Sequence, residues 1–334
     1  EATENHLFER SFYTHILWAL ENAVWDRRYA TRAVNLLVRF AEKGFRYTIS
    51  NSPMNSLYKI FCLWYPQNCF TFEEQKILIQ RIIENNHSIA AELVDNLLPD
   101  GRSSTLNISK PRWRAIECKS RTVYMSELAE MTQFISMVYM DNIAPTFRDW
   151  ETVLKNLDSF KPVENWIEKC KQLVLLMPED DVFSLCAEIA RYISNNRSYH
   201  HDKEERMHLS EVMEALLFSI LPDSPRSYTV FFSNNFNGLV PYRYKENKYD
   251  YDEERRCLRE FHKKQMHELI AKYGKDAIIQ NAPYVENLRE YGAVIAEVAD
   301  VVHADFVFVF RIGDVGIHPG FDLRIQIHTV FVLQ

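Results

Sequence analysis

An apolar period of about 3.6 residues runs through most of this chain, and almost no glycine interrupts it. Eight of the 334 residues are glycine, and only Gly44, Gly101, Gly238, Gly274 and Gly292 fall within the first 300. Tight β-hairpin turns draw heavily on glycine, so its scarcity favours helices over a β meander. The spacing agrees, because Phe8, Phe12, Ile16, Leu20 and Val24 recur on one stripe, which Trp18 widens. A second helix is predicted to turn Tyr29, Ala33, Leu36, Leu37 and Phe40 inward and to stop at Gly44, where a left-handed backbone can end it. Together these two read as an antiparallel hairpin.

The same grammar continues along the chain. Thr71 and Glu74 have capping-box spacing ahead of Ile79, Ile82 and Ile83, and a short helix bearing Leu93, Val94, Leu97 and Leu98 ends at Pro99. Further stripes are Phe147, Trp150, Leu154 and Leu157; then Trp166, Cys170, Leu173 and Met177 behind Pro162; then Val182, Cys186, Ile189 and Ile193. Two helices close on similar phrases, LLPDG at 97–101 and ILPDS at 220–224, which points to a reused helical unit. The expected fold is therefore all-α, a degenerate helical-repeat array of tetratricopeptide-like hairpins.

Local composition divides the chain. Residues 1–225 read as the array and 226–251, rich in Tyr, Phe and Asn, as an irregular segment. Helices continue over 252–300, where Asp252–Arg256, Glu260–Lys264 and Glu268–Lys272 are spaced to pair outside while Leu258, Phe261, Leu269 and Tyr273 pack inward. Residues 301–334 alternate β-branched and aromatic residues and hold three glycines, so they read as a short β-like or non-integrated tail.

Composition bounds the partners. The formal charge of −7 and the lack of any dense Lys/Arg stretch argue against a specific nucleic-acid role. Six cysteines at 62, 69, 118, 170, 186 and 257 form no short-spaced ladder, so reduced thiols on buried helix faces and a cytoplasmic location are expected. No apolar run approaches the roughly 18 residues of a membrane span, and no charged-then-apolar leader is seen at the start, so no membrane partner is expected. A chain that exceeds the roughly 250–300 residues at which one core stops growing should form two units or an extended array. Its first residue is Glu1, which suggests a piece of a longer protein.

Chemistry is harder to find. The GxxxxGK[ST] phosphate loop, the GxGxxG turn, the HExxH pair and the GxSxG elbow are all missing from these residues, so no catalytic role and no cofactor are expected. In HHDKEERMH, His201, Glu205 and His208 would face one metal ion if a continuous helix carried them. The competing reading is a polar inter-helix stretch with solvated side chains. His262 and His267 do not converge and read as part of an exposed polar face. Adjacent carboxylates such as Glu73–Glu74 diverge by about 100° on a helix and serve helix-start electrostatics instead.

Two blocks are more individual. In NSPMNSLYKIFCLWYPQ, Leu57, Ile60, Phe61 and Trp64 form a helical core stripe, so packing outweighs a binding role. In KPRWR, the cations Lys110, Arg112 and Arg114 surround Trp113, a combination that can grip a carboxylate while the indole anchors a partner. The other reading is a structural tie in which Trp113 packs down.

These blocks carry a resemblance. The order NSPMNSL…IF…WYPQ, LLPDG, ST…KPRWR and later FFS…DYDEERR…EFHKKQMHELIAKYG, over residues 7 to 299, resembles the C-terminal helical region of large bacterial STAND-type NTPases of antiviral defence. That resemblance implies a sensor that recognises a phage protein, with nucleotide binding and effector chemistry elsewhere in a parent that assembles into homo-oligomers. The β-like tail departs from it. A generic helical scaffold and a metal-dependent hydrolase centred on His201, Glu205 and His208 are the alternatives.

Overall fold

Helices form where the apolar period is unbroken and stop where polar caps take over. The computed structural model describes residues 12–44, 51–98, 105, 107–108, 110–111, 121–199, 204–234, 236 and 251–299. Among these residues every regular element is helical and there is no strand. The fold is all-α, a degenerate helical array in which helices pack both on sequence neighbours, as α1 on α2 and α9 on α10, and on the next but one, as α4 on α6, and it divides into two compact units, Glu1–Pro178 and Glu179–Gln334.

The first unit contains α1 (Phe12–Ala23), α2 (Ala30–Glu42), α3 (Pro53–Phe61), α4 (Phe72–Asn85), α5 (His87–Leu97), α6 (Met125–Asn142), α7 (Phe147–Lys155) and α8 (Glu164–Val174). Gly44, with φ of +66°, follows the end of α2 as its spacing predicts. The capping box at α4 also forms: Thr71 Oγ1 accepts the Glu74 N–H, and the Glu74 carboxylate accepts the Thr71 N–H. Each bond satisfies a donor that a bare helix terminus would leave unpaired.

The faces that α1 and α2 bury match the spacing only in part: Val24, Ala33 and Leu37 are buried as predicted, but other members of both stripes are exposed. Leu17 and Glu21 point inward from α1, and Val24 is buried just after it, while Ile16 and Trp18 are 44% and 43% exposed. On α2 the inward set is Ala30, Ala33, Val34, Leu37 and Val38, with Tyr29 and Leu36 outside. Apolar residues cover more than one side of α1, so periodicity alone cannot select its buried face. Tertiary contact selects it: buried Ser56 of α3 donates to the buried Glu21 carboxylate at 2.8 Å.

The first block is a packing element. Pro53, Met54, Ser56, Leu57, Ile60 and Phe61 are all buried, and Ser52 caps α3 by accepting the Asn55 N–H. Its helix, however, ends at Phe61, so Trp64 lies beyond the stripe, half-buried and edge-on to Tyr58. Side chains downstream close the helix end: Asn68 Nδ2 donates to the Ile60 carbonyl and Gln75 Nε2 to that of Phe61. Carbonyls orphaned at a helix C-terminus thus find partners inside the protein.

The second unit contains α9 (Glu179–Tyr199), α10 (Glu204–Ile220), a 3-10 segment Pro225–Phe232, α11 (Tyr251–Tyr273), α12 (Asp276–Asn281) and α13 (Leu288–Ala299). Helices α9 and α10 pack together, tied by Arg197 and Glu214 at 2.6 Å. The start of the segment read as irregular is the 3-10 helix, whose Phe232 enters a core with Met266, Leu269, Tyr291 and Val294. On α11 the predicted pairs are replaced: Arg256 meets Glu253, Lys263 meets Glu260, Lys264 meets Glu268, and Lys272 reaches Asp223. Residues three apart are as close on a helix as residues four apart. The tail 301–334 lies outside the described residues.

Candidate functional site

The site is assembled on one face of α4. Glu74, Ile77, Leu78 and Arg81 recur at i, i+3, i+4 and i+7, and this face meets the α1–α2 connection at Arg27 and the first turn of α2 at Thr31. Between them lies an open cleft of about 160 Å³, close to the ~150 Å³ that holds a benzene ring. Cys69 and Phe70 complete an apolar floor, and Ile77 is left 47% exposed at its edge.

Its rim is positive. Arg27 Nη2 donates to both Glu74 carboxylate oxygens, at 2.6 and 2.8 Å. Glu74 is itself fixed by the capping box, whose Thr71 backbone bond is the main reason its carboxyl stays below the usual range, with Arg27 adding to it. Arg27 is thereby held in place with donors to spare, since a guanidinium has five N–H groups. Arg81 is exposed, and its guanidinium has no side-chain partner among the described residues. The rim thus carries two guanidiniums against one carboxylate.

The second block lies only partly within the described residues. Lys110 Nζ lies 4.2 Å from the centroid of the buried Trp25 ring, and the Ile108 N–H donates to the buried Gln67 Oε1 at 2.7 Å. The chain just before the second block is thus tied to the first block at Gln67, and Lys110 lies on the buried Trp25, which favours a structural role for Lys110. Arg112, Trp113 and Arg114 lie outside the described residues.

The metal-ligand candidates are likewise split. Glu205 and His208 are exposed on α10, and His208 Nδ1 is 4.0 Å from Glu211. His201 precedes the described start of α10 and lies outside the described residues. Among those described, no three His, Cys, Asp or Glu side chains cluster as metal ligands. Of the cysteines, 62, 69, 170 and 186 are buried and form no disulfide, and burial pushes the Cys170 thiol up to about 12. Cys257 is exposed, contrary to the expectation of a buried thiol, because it lies on the outer face of α11.

His262 corrects a second expectation. Its ring is 2% exposed, stacked on Phe232 with centroids 4.4 Å apart, and Nε2 donates to the Phe231 carbonyl at 2.8 Å. Nδ1 faces Glu290 Oε1 at 3.1 Å, and Arg259 donates to the same oxygen. With His262 bonded to it and Arg259 beside it, the Glu290 carboxyl is held below its ordinary range despite partial burial. The cluster joins the 3-10 segment, α11 and α13 through buried contacts. It is a structural tie.

Sequence reasoning missed the cleft because its rim residues, Arg27 and Arg81, are far apart in the chain. The only local signal was the capping box. No helix among the described residues is long and apolar enough to cross a membrane. The chain matches no family model, no curated protein and no solved structure.

Proposed function

We propose that this chain is a protein-recognition module, the sensor part of a larger STAND-type NTPase of antiviral defence, with no chemistry of its own. The cleft at α4 carries the recognition reading: an apolar floor of one-side-chain size beneath a positive rim suits a protein segment better than a polar metabolite. Arrays of packed helices offer extended surfaces for such contacts. The defence and NTPase part rests on the resemblance of the NSPMNSL, KPRWR and EFHKKQMHELIAKYG motifs. Binding of a phage protein would then trigger assembly of the parent in the cytoplasm.

The recognition reading is tested by immobilising the full chain and challenging it with lysates of phage-infected and uninfected cells. One phage protein enriched from the infected lysate alone is the expected result. Equal recovery from both lysates, or from beads without the chain, would overturn it. The NTPase part requires a phosphate-binding loop in the same reading frame, upstream of this chain; an upstream sequence without one would remove that part and leave recognition standing.

A further inference from the structure

We infer that the α4 cleft takes a protein segment in which an aliphatic or phenyl side chain adjoins a carboxylate, and that Arg81 is the residue that selects the carboxylate. This rests on the recognition reading and adds the chemistry of the occupant.

Size fixes the first half of the ligand. A space of about 160 Å³ floored by Cys69, Phe70 and Leu78 accommodates one side chain of leucine to phenylalanine size. Burying one such side chain against Ile77 would remove from water an isoleucine that is otherwise 47% exposed. The walls are α4 and the α1–α2 connection, so the occupant lies along α4 with its anchor pointing inward.

Charge fixes the second half. Glu74 already engages Arg27 Nη2 through both its oxygens, so it orients that guanidinium at the rim and leaves it with further N–H donors. Arg81 stands two helical turns beyond Glu74 on the same face, and no side chain among the described residues engages it. Two guanidiniums flanking an apolar floor match a carboxylate next to an apolar anchor, because arginine binds carboxylates through paired N–H donors. A basic segment would meet like charges and be rejected. The preference is for an acidic segment although the whole chain carries −7, so overall charge would not predict it.

The test pans a displayed library of random short peptides against the full chain, then titrates the enriched peptides while isoleucine methyl signals are followed by NMR. Enriched sequences are expected to place Asp or Glu beside Leu, Ile, Met or Phe, and to shift the Ile77 methyl. Arg81→Ala should weaken their binding roughly ten-fold, Arg81→Lys should restore part of it, and Ile77→Asp should abolish it. Both positions are exposed, so the variants should fold, which unchanged methyl spectra away from the cleft would verify. No enriched peptide, enrichment without acidic residues, binding indifferent to Arg81→Ala, or an unmoved Ile77 methyl would each overturn the inference. Peptides bound with Ile77 unmoved would sink this assignment while leaving protein recognition at another surface intact; a lysate challenge without a specific protein would instead sink the recognition reading.

Discussion

His262 donates from Nε2 to the backbone carbonyl of Phe231 at 2.8 Å, joining residues 31 apart in sequence. The bond pins the 3-10 segment to α11 while Glu290 of α13 approaches the other ring nitrogen. Replacing His262 with Phe keeps a ring against Phe232 but strands the buried carbonyl and takes a partner from Glu290. The expected loss is about 1–3 kcal/mol for the unsatisfied buried acceptor. Hydrogen exchange at α11 and α13 should accelerate in that variant while exchange in α1 to α5 is unchanged. Unaltered exchange at α11 would show that the bond contributes nothing.

Glu290 gives the second unit a dependence on acid. Its carboxyl is depressed in the folded state, chiefly by the His262 bond and then by Arg259. A depressed carboxyl contributes stability that is fully present above its unfolded value, about 4.3, and is lost as pH falls through the folded value. The stability difference between the native chain and Glu290→Gln should therefore be largest near neutrality and shrink on acidification. Denaturant titrations across that range measure it; two parallel curves would contradict the assigned role.

Gly44 isolates a purely conformational effect. Its φ is +66°, and a Cβ built there meets nothing within 4 Å. Gly44→Ala should thus destabilise by about 1–2 kcal/mol through backbone strain alone, and Gly44→Asn by less, since asparagine tolerates the left-handed region. Thermal unfolding of the three proteins checks the order. An alanine variant as stable as the native chain would mean that the turn relaxes to another backbone.

Thr71 links a helix cap to the cleft. Thr71→Ala should cost about 1 kcal/mol by removing an N-cap. Because Glu74 holds both Thr71 and Arg27, the effects of Thr71→Ala and Arg27→Ala should not add. A double-mutant cycle read by denaturant unfolding would expose the coupling, and strict additivity would contradict it.

What the sequence made legible was local. The helical class, the Thr71–Glu74 box and the stop at Gly44 depend on residues within one or two turns, and the structure contains each of them. Which side of α1 faces inward was not legible, because Ile16, Leu17, Trp18 and Leu20 span most of its circumference and the choice falls to a bond from Ser56, 35 residues away. His262 read as a surface residue because its neighbours on α11 are charged; its two partners lie 31 and 28 residues off. The cleft was illegible for the same reason, its rim being shared by the α1–α2 connection and α4. KPRWR was visible as a cluster of charge and tryptophan, yet nothing in its spacing revealed that Lys110 would lie over Trp25.

Protein recognition at α4 is tested most directly by placing a photo-crosslinking benzoylphenylalanine at position 77 of the chain and irradiating cells that express it during phage infection. Recognition through the cleft predicts a covalent adduct with a phage protein, mapped to a segment where an apolar residue adjoins Asp or Glu, and reduced by Arg81→Ala. No adduct, or an adduct whose yield is the same with and without Arg81, would contradict it.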